Sequence, residues 1–257
     1  MDLRLSLIGL VVGLLVGISG VGGSSLMTPL LILFMGVQPL IAVGTDLAYS
    51  VPTKILGAIV HRGQGTVDKK IVSYLCLGGI PAAVLGLVVL ALVRARLGLD
   101  RLNTILKHDV GVLLLLVSVA IVLTPLLSRG HGFEDGAPWT EASKRRLVAL
   151  GGVVGFLVSL TSIGSGSITL PILYILMPRF GLRRLVGSDV AFAALILPVA
   201  TLGHLAMGSV NLALSASLLI GSLPGVYLGS KLCALLPDIV LRPAIAGVLF
   251  FAATRLV

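Results

Sequence analysis

A chain of 257 residues that is 57% hydrophobic and 11% charged, with mean hydropathy +1.13, lies far from globular composition, where about a quarter of residues are charged. Apolar runs recur from end to end without the alternation of barrel strands, which excludes a soluble domain and a transmembrane barrel and leaves a polytopic α-helical membrane protein. The net charge of +9 reads as Lys and Arg that orient short loops, not as a nucleic-acid surface, since no basic cluster is interleaved with aromatics.

Residues 3–18 are apolar and flow into a Gly/Ser-rich stretch, Gly17 to Ser25, before a second apolar run over 24–35. No cleavage signature interrupts them, so the N-terminus reads as mature sequence. Clustered glycines cannot sit in one unbroken helix, and inside a bilayer a broken backbone is tolerated only where protein buries it or it lines a cavity. The segment therefore predicts a broken or re-entrant helix. Gly44-Thr45-Asp46 opens the next helix, which runs to about Val60, and 61–70 is a polar loop. Helix 71–93 follows, then a charged stretch over 94–107, then helix 109–127. Residues 128–146 are the long polar stretch, with the sole Trp, Trp139, and read as a linker. Cys76 and Cys233 sit in or beside apolar runs without metal or redox spacing, so no cofactor is expected.

The second half, 147–257, repeats the order of the first, 1–127. Gly155 to Pro171 has the grammar of Gly13 to Pro29. At an offset of 143, Gly44-Thr45-Asp46 matches Gly187-Ser188-Asp189, His61 matches His204, and Gly65-Thr66-Val67-Asp68 matches Gly208-Ser209-Val210-Asn211. Matched broken segments in two repeats are the sequence sign of a secondary transporter or channel with its site at the repeat interface. About eight membrane segments result. If each opening segment is a hairpin the repeats are inverted, and Lys and Arg divide two to one between the membrane sides; if it crosses they are parallel, and the division is even. The positive-inside bias favours inverted repeats, with the 61–70, 128–146 and 231–242 loops in the cytoplasm.

The chain resembles the sulfite exporter TauE/SafE family over nearly its whole length. The resemblance rests on the Gly/Ser-rich first segment ending in Thr28-Pro29, Ala42-Val43-Gly44-Thr45-Asp46-Leu47-Ala48, Pro52-Thr53, His61-Arg62 with Gly65-Thr66-Val67-Asp68, and Gly78-Gly79-Ile80-Pro81-Ala82 with its echo from Gly221 to Gly225. It implies export of sulfite, sulfoacetate or other organosulfonates through a multi-pass protein of the cell membrane. The chain departs from the family pattern at Asp46 and Lys54, where small residues are usual.

An exported oxyanion needs donors that do not hold it irreversibly. Unpaired amides at helix starts supply them, with the positive end of the helix dipole behind. Gly22, Gly23, Ser24, Ser25 and Thr28 in the first break, with Thr161, Gly164, Ser165, Gly166, Ser167 and Thr169 in the second, are the candidate substrate-binding residues; small-residue helix packing is the competing explanation for the same positions. Asp46 and Asp189 read either as N-caps or as proton-carrying carboxylates. Lys54 attracts the anion or snorkels to an interface. His61 and His204 cap helix ends or titrate during transport. Thr53 is a further hydroxyl that can instead bond its own helix, and Tyr49 and Phe192 gate or pack. No Cys–His pair, metal spacing or Ser-plus-base arrangement suggests an enzyme. The expected partners are a small anion and the lipid bilayer.

Overall fold

The computed structural model describes residues 7, 9–14, 24–127, 140–178, 180–233 and 238–257; they are helical apart from short turns, with no strand among them. A helical piece over 9–14 precedes α1 (Ser24–Met35), α2 (Pro39–Gly63), α3 (Lys69–Leu127), α4 (Glu141–Thr161), α5 (Thr169–Leu176), α6 (Leu182–Ala206), α7 (Leu212–Cys233) and α8 (Asp238–Leu256).

Local chemistry sets several boundaries. Pro39 opens α2, where a missing N–H costs nothing. Asp68 Oδ1 accepts the amides of Lys70 and Ile71 and caps α3, and Asn211 Oδ1 accepts that of Leu214 and caps α7. Thr140 caps α4 through the amide of Ser143. Helix α4 thus starts inside the stretch read as linker, whose residues 141–146 are helical; 128–139 lie outside the described residues.

The charged stretch 94–107 is also helical, not a loop. Its charged residues Arg96, Asp100, Arg101 and Lys107 are exposed while Leu102 and Leu106 are buried, the one-sided spacing of an amphipathic helix. Only Gly98 leaves helical geometry, at φ 77° and ψ 173°, a region open to glycine. Leu90 from before this point shares a core cluster with Leu102 and Leu106 from after it. A straight helix would hold Leu90 and Leu106 about 24 Å apart, so α3 folds back at Gly98 into two arms.

Helices α2 and α6, each of 25 residues, pack antiparallel. The loop after α2 lies on the start of α6: the Asp68 amide donates to Ser188 Oγ at 2.9 Å, and Asp68 Oδ2 pairs with Arg184 at 2.8 Å. The loop after α6 lies on the start of α2, where the Asn211 amide donates to Thr45 Oγ1 at 3.1 Å. Gly44 abuts the Ser209 carbonyl and Gly187 the Thr66 carbonyl so closely that neither site has room for a Cβ. The glycine–carbonyl contacts and the amide–hydroxyl bonds at one end have counterparts 143 positions away at the other; the Asp68–Arg184 pair has none.

The first arm of α3 and α4 run parallel in backbone contact, Leu75 against Gly151 and Gly79 against Gly155. Tyr74 and Lys144 share one surface cleft. Helix α4 therefore begins at the end of the bundle where α2 finishes, and α6 begins there as well. The α4–α5 segment enters and leaves at one end of the bundle. Residues 9–14 follow α7 in the same manner, Gly9 at Leu218 and Gly13 at Ser222.

The outside of this bundle is apolar. Leu77, Leu85, Leu92, Leu116, Leu202 and Phe250 are all exposed, an outer face suited to lipid rather than water. The stretches Lys69–Val122 and Leu182–Ala206 are long and apolar enough to cross a membrane.

Candidate functional site

Helix α4 stops at Thr161. Ser162 takes a left-handed conformation at φ 63°, and Gly164 and Gly166 follow at φ 143° and 88°. A left-handed serine is uncommon backbone that persists only where the surroundings enforce it. The Gly164 carbonyl collects the amides of Ile168 and Thr169 and the hydroxyl of Thr169, which starts α5. Ser165 and Ser167 thus occupy the turn before α5 rather than its first helical positions. In the first half α1 is described from Ser24 onward; Gly22 and Gly23 lie outside the described residues, while Ser25 and Thr28 are buried.

The two halves converge on Asp46. Its carboxylate is fully buried and accepts three hydroxyls: Thr28 at 2.7 Å from α1, Ser162 at 2.8 Å from the second break, and Ser50 at 3.3 Å from its own helix. Each hydroxyl donates to the carboxylate, two of them to the same oxygen, Oδ2. Asp46 and Asp189 lie in the second turns of α2 and α6, not at their starts, so neither is an N-cap: the helices begin at Pro39 and Leu182, upstream of the Gly-Thr/Ser-Asp triplets. Ser162 and Ser50 escaped sequence reasoning. Ser50 carried a signal, since it sits one turn from Asp46; Ser162 lay among several equivalent small residues and carried none.

Asp189 is the counterpart. Its carboxylate faces the Gly166 amide and the Thr169 hydroxyl and is buried, yet its Oδ1 has no hydrogen-bond partner, nor do the hydroxyls of Ser165 and Ser167. Half-buried Lys54 acts electrostatically on both Asp46 and Asp189. It pairs with neither carboxylate within salt-bridge distance.

Other predicted residues take structural places. Thr161 and Thr53 bond the backbone of their own helices, at Leu157 and Ser50. His61 is held by Thr66 at 2.9 Å, and His204 by Ser209 at 2.9 Å. The His204 Nε2 also donates to the Ser159 carbonyl at 2.9 Å, tying α6 to α4. Tyr49 and Phe192 are among the largest fully buried side chains; Tyr49 bonds Ser222, and Phe192 lies against Gly79. Among the described residues no cluster of His, Cys, Asp and Glu suits a metal ion.

A family model described as "Sulfite exporter TauE/SafE" matches residues 5–256. The chain is 40% identical to the probable membrane transporter protein YjnA of Bacillus subtilis over the full length of both. It is 29% identical to the probable membrane transporter protein YdhB of the same organism, over 95% of this chain and 97% of that one. YunE, a third probable membrane transporter protein of that bacterium, is 26% identical over 90% of this chain and 86% of its own length. No solved structure matches.

Proposed function

The chain belongs to the sulfite exporter TauE/SafE family of membrane transporters, and on that premise we propose that it exports sulfite, sulfoacetate or other organosulfonates across the cell membrane by alternating access. The reading takes the halves as inverted repeats of four membrane segments each. Antiparallel α2 and α6, with contacts that recur at an offset of 143, support this. Arg62, Lys69, Lys70, Lys144, Arg145, Arg146, Arg183 and Arg184 fall at the end of the bundle where α2 finishes, which by the positive-inside rule supports a cytoplasmic position for that end.

The observation that carries the proposal is the sharing of one buried carboxylate by hydroxyls from both halves. Two broken segments that meet in the bilayer are where transporters of this construction bind substrate. The anion takes the donors Asp46 now occupies, together with the hydroxyls of Ser25 and Ser167, and Lys54 supplies the attracting charge. For this to happen Asp46 must yield its hydroxyls, and a proton on its carboxyl removes the repulsion between it and the arriving anion. Asp46 is thereby the proton carrier.

Purified protein in liposomes tests the reading. Labelled sulfite should exchange by saturable counterflow and respond to a pH gradient, and Asp46→Asn should flatten the pH profile. Conductance without counterflow marks a passive channel, and an unaltered profile in Asp46→Asn removes Asp46 from coupling. Ser25→Ala with Ser167→Ala should raise the half-saturating sulfite concentration severalfold.

A further inference from the structure

We propose that Asp189 Oδ1, Ser165 Oγ and Ser167 Oγ form a binding site for a monovalent cation, sodium by its ligand set, at the tip of the second broken segment. The three atoms share one property that sets them apart from the rest of the site. Each belongs to a side chain at most 2% exposed, and none has a hydrogen-bond partner. Leaving a buried polar group unmatched costs about 1–3 kcal/mol, so two serines on one turn of backbone and a carboxylate held by that turn's Gly166 amide call for a common occupant. The Gly166 amide contacts the Asp189 carboxylate, which fixes the aspartate against the short stretch that bears both serines.

The occupant's charge follows from the ligands. A carboxylate oxygen with two hydroxyls offers lone pairs that suit a hard cation, and the Ser167 hydroxyl keeps its hydrogen free to donate to the anion. Unwound backbone in broken transporter helices adds carbonyl ligands of the same kind. Asp46 differs in having its oxygens already taken by Thr28, Ser50 and Ser162. The local charges give the valence: two carboxylates against one Lys54 ammonium leave a single negative charge, which one monovalent ion neutralises and a divalent ion overshoots. The proposal extends the transport reading by naming a co-ion, yet sodium binding is measurable without any substrate.

The experiment is thermal unfolding of the purified full chain at fixed pH and ionic strength, titrated with NaCl against choline chloride. Sodium should raise the midpoint in a saturable way, by about 3 °C at several times the dissociation constant. Asp189→Asn and the Ser165→Ala/Ser167→Ala double variant should each lose the shift, while Asp68→Asn, at the bundle's end, should keep it. Equal responses to sodium and choline overturn the site, as does a sodium shift that survives in both site variants. A midpoint that tracks pH in choline with no sodium effect assigns the occupant as a proton and also overturns it. Sulfite counterflow on the same preparation separates the two proposals. Counterflow without a sodium shift leaves the anion reading standing alone, and a sodium shift without counterflow leaves the cation site standing alone.

Discussion

The two ends of the α2–α6 pair share one backbone plan and differ in charge. At the end where α2 finishes, a glycine in the second turn of α6 admits the Thr66 carbonyl, Ser188 accepts the Asp68 amide, and Asp68 pairs with Arg184. At the other end Gly44 admits the Ser209 carbonyl and Thr45 accepts the Asn211 amide, but Asn211 stands where Asp68 would and Ile41 where Arg184 would, so no ion pair forms. The neutral hydrogen bond is common to both and the ionic lock belongs to one. Under the proposed alternating access, a contact present at a single end biases which side opens; in that proposal the lock lies at the cytoplasmic end and opposes opening there.

The largest effects should come from the shared plan. Gly44→Leu and Gly187→Leu each drive a side chain into a backbone carbonyl, and overpacking of this kind costs about 1–3 kcal/mol or more. Both variants should lower the thermal midpoint, and to a similar degree; a large drop for one alone would break the equivalence of the two ends. The lock should weigh less. Asp68 is nearly buried but the Arg184 side chain is 46% exposed, so the pair is worth about 1 kcal/mol or below. Asp68→Asn keeps the helix cap and removes the charge, and should increase labelling of a Ser162→Cys variant by a membrane-impermeant thiol reagent from the cytoplasmic side by up to about fivefold. Ile41→Arg with Asn211→Asp builds a lock at the opposite end and should slow labelling from there. Smallest are Ser188→Ala and Thr45→Ala, each leaving one loop amide without its hydroxyl, at about 1 kcal/mol or less. Equal losses in midpoint sharpen the comparison, while a larger loss at Ser188 assigns part of the lock's strength to its hydroxyl.

Much of this arrangement was legible in the sequence. The matched Gly-Thr/Ser-Asp triplets, the Gly-Thr/Ser-Val loops and the two Gly/Ser breaks pointed to paired halves; the triplets and loops fall at the reciprocal contacts of α2 and α6, and residues 15–23 of the first break lie outside the described residues. The positive-inside count favoured a hairpin, and α4 and α6 do begin at one end of the bundle. Helix starts were misjudged because Gly44 and Gly187 read as helix breakers, whereas each is a place where a neighbouring carbonyl approaches the helix interior. The charged run 94–107 had no assignment from sequence because charge was weighed without its one-sided spacing, which makes it helical. Within the site, the aspartates and the second break were visible as residue types. Their unequal satisfaction was not, because it depends on Ser162 reaching across from the other half, and one left-handed serine leaves no mark in composition or periodicity.

The most direct measurement pairs Thr28→Cys with Ser162→Cys in a chain whose Cys76 and Cys233 are replaced by serine. Both hydroxyls bond the same Asp46 oxygen, so the two positions face each other across the junction of the halves. Oxidation should join them, stop sulfite exchange in liposomes, and release it again on reduction. Cysteines that do not cross-link, or a cross-linked protein that still exchanges sulfite at the original rate, would contradict a transport site where the two broken segments meet.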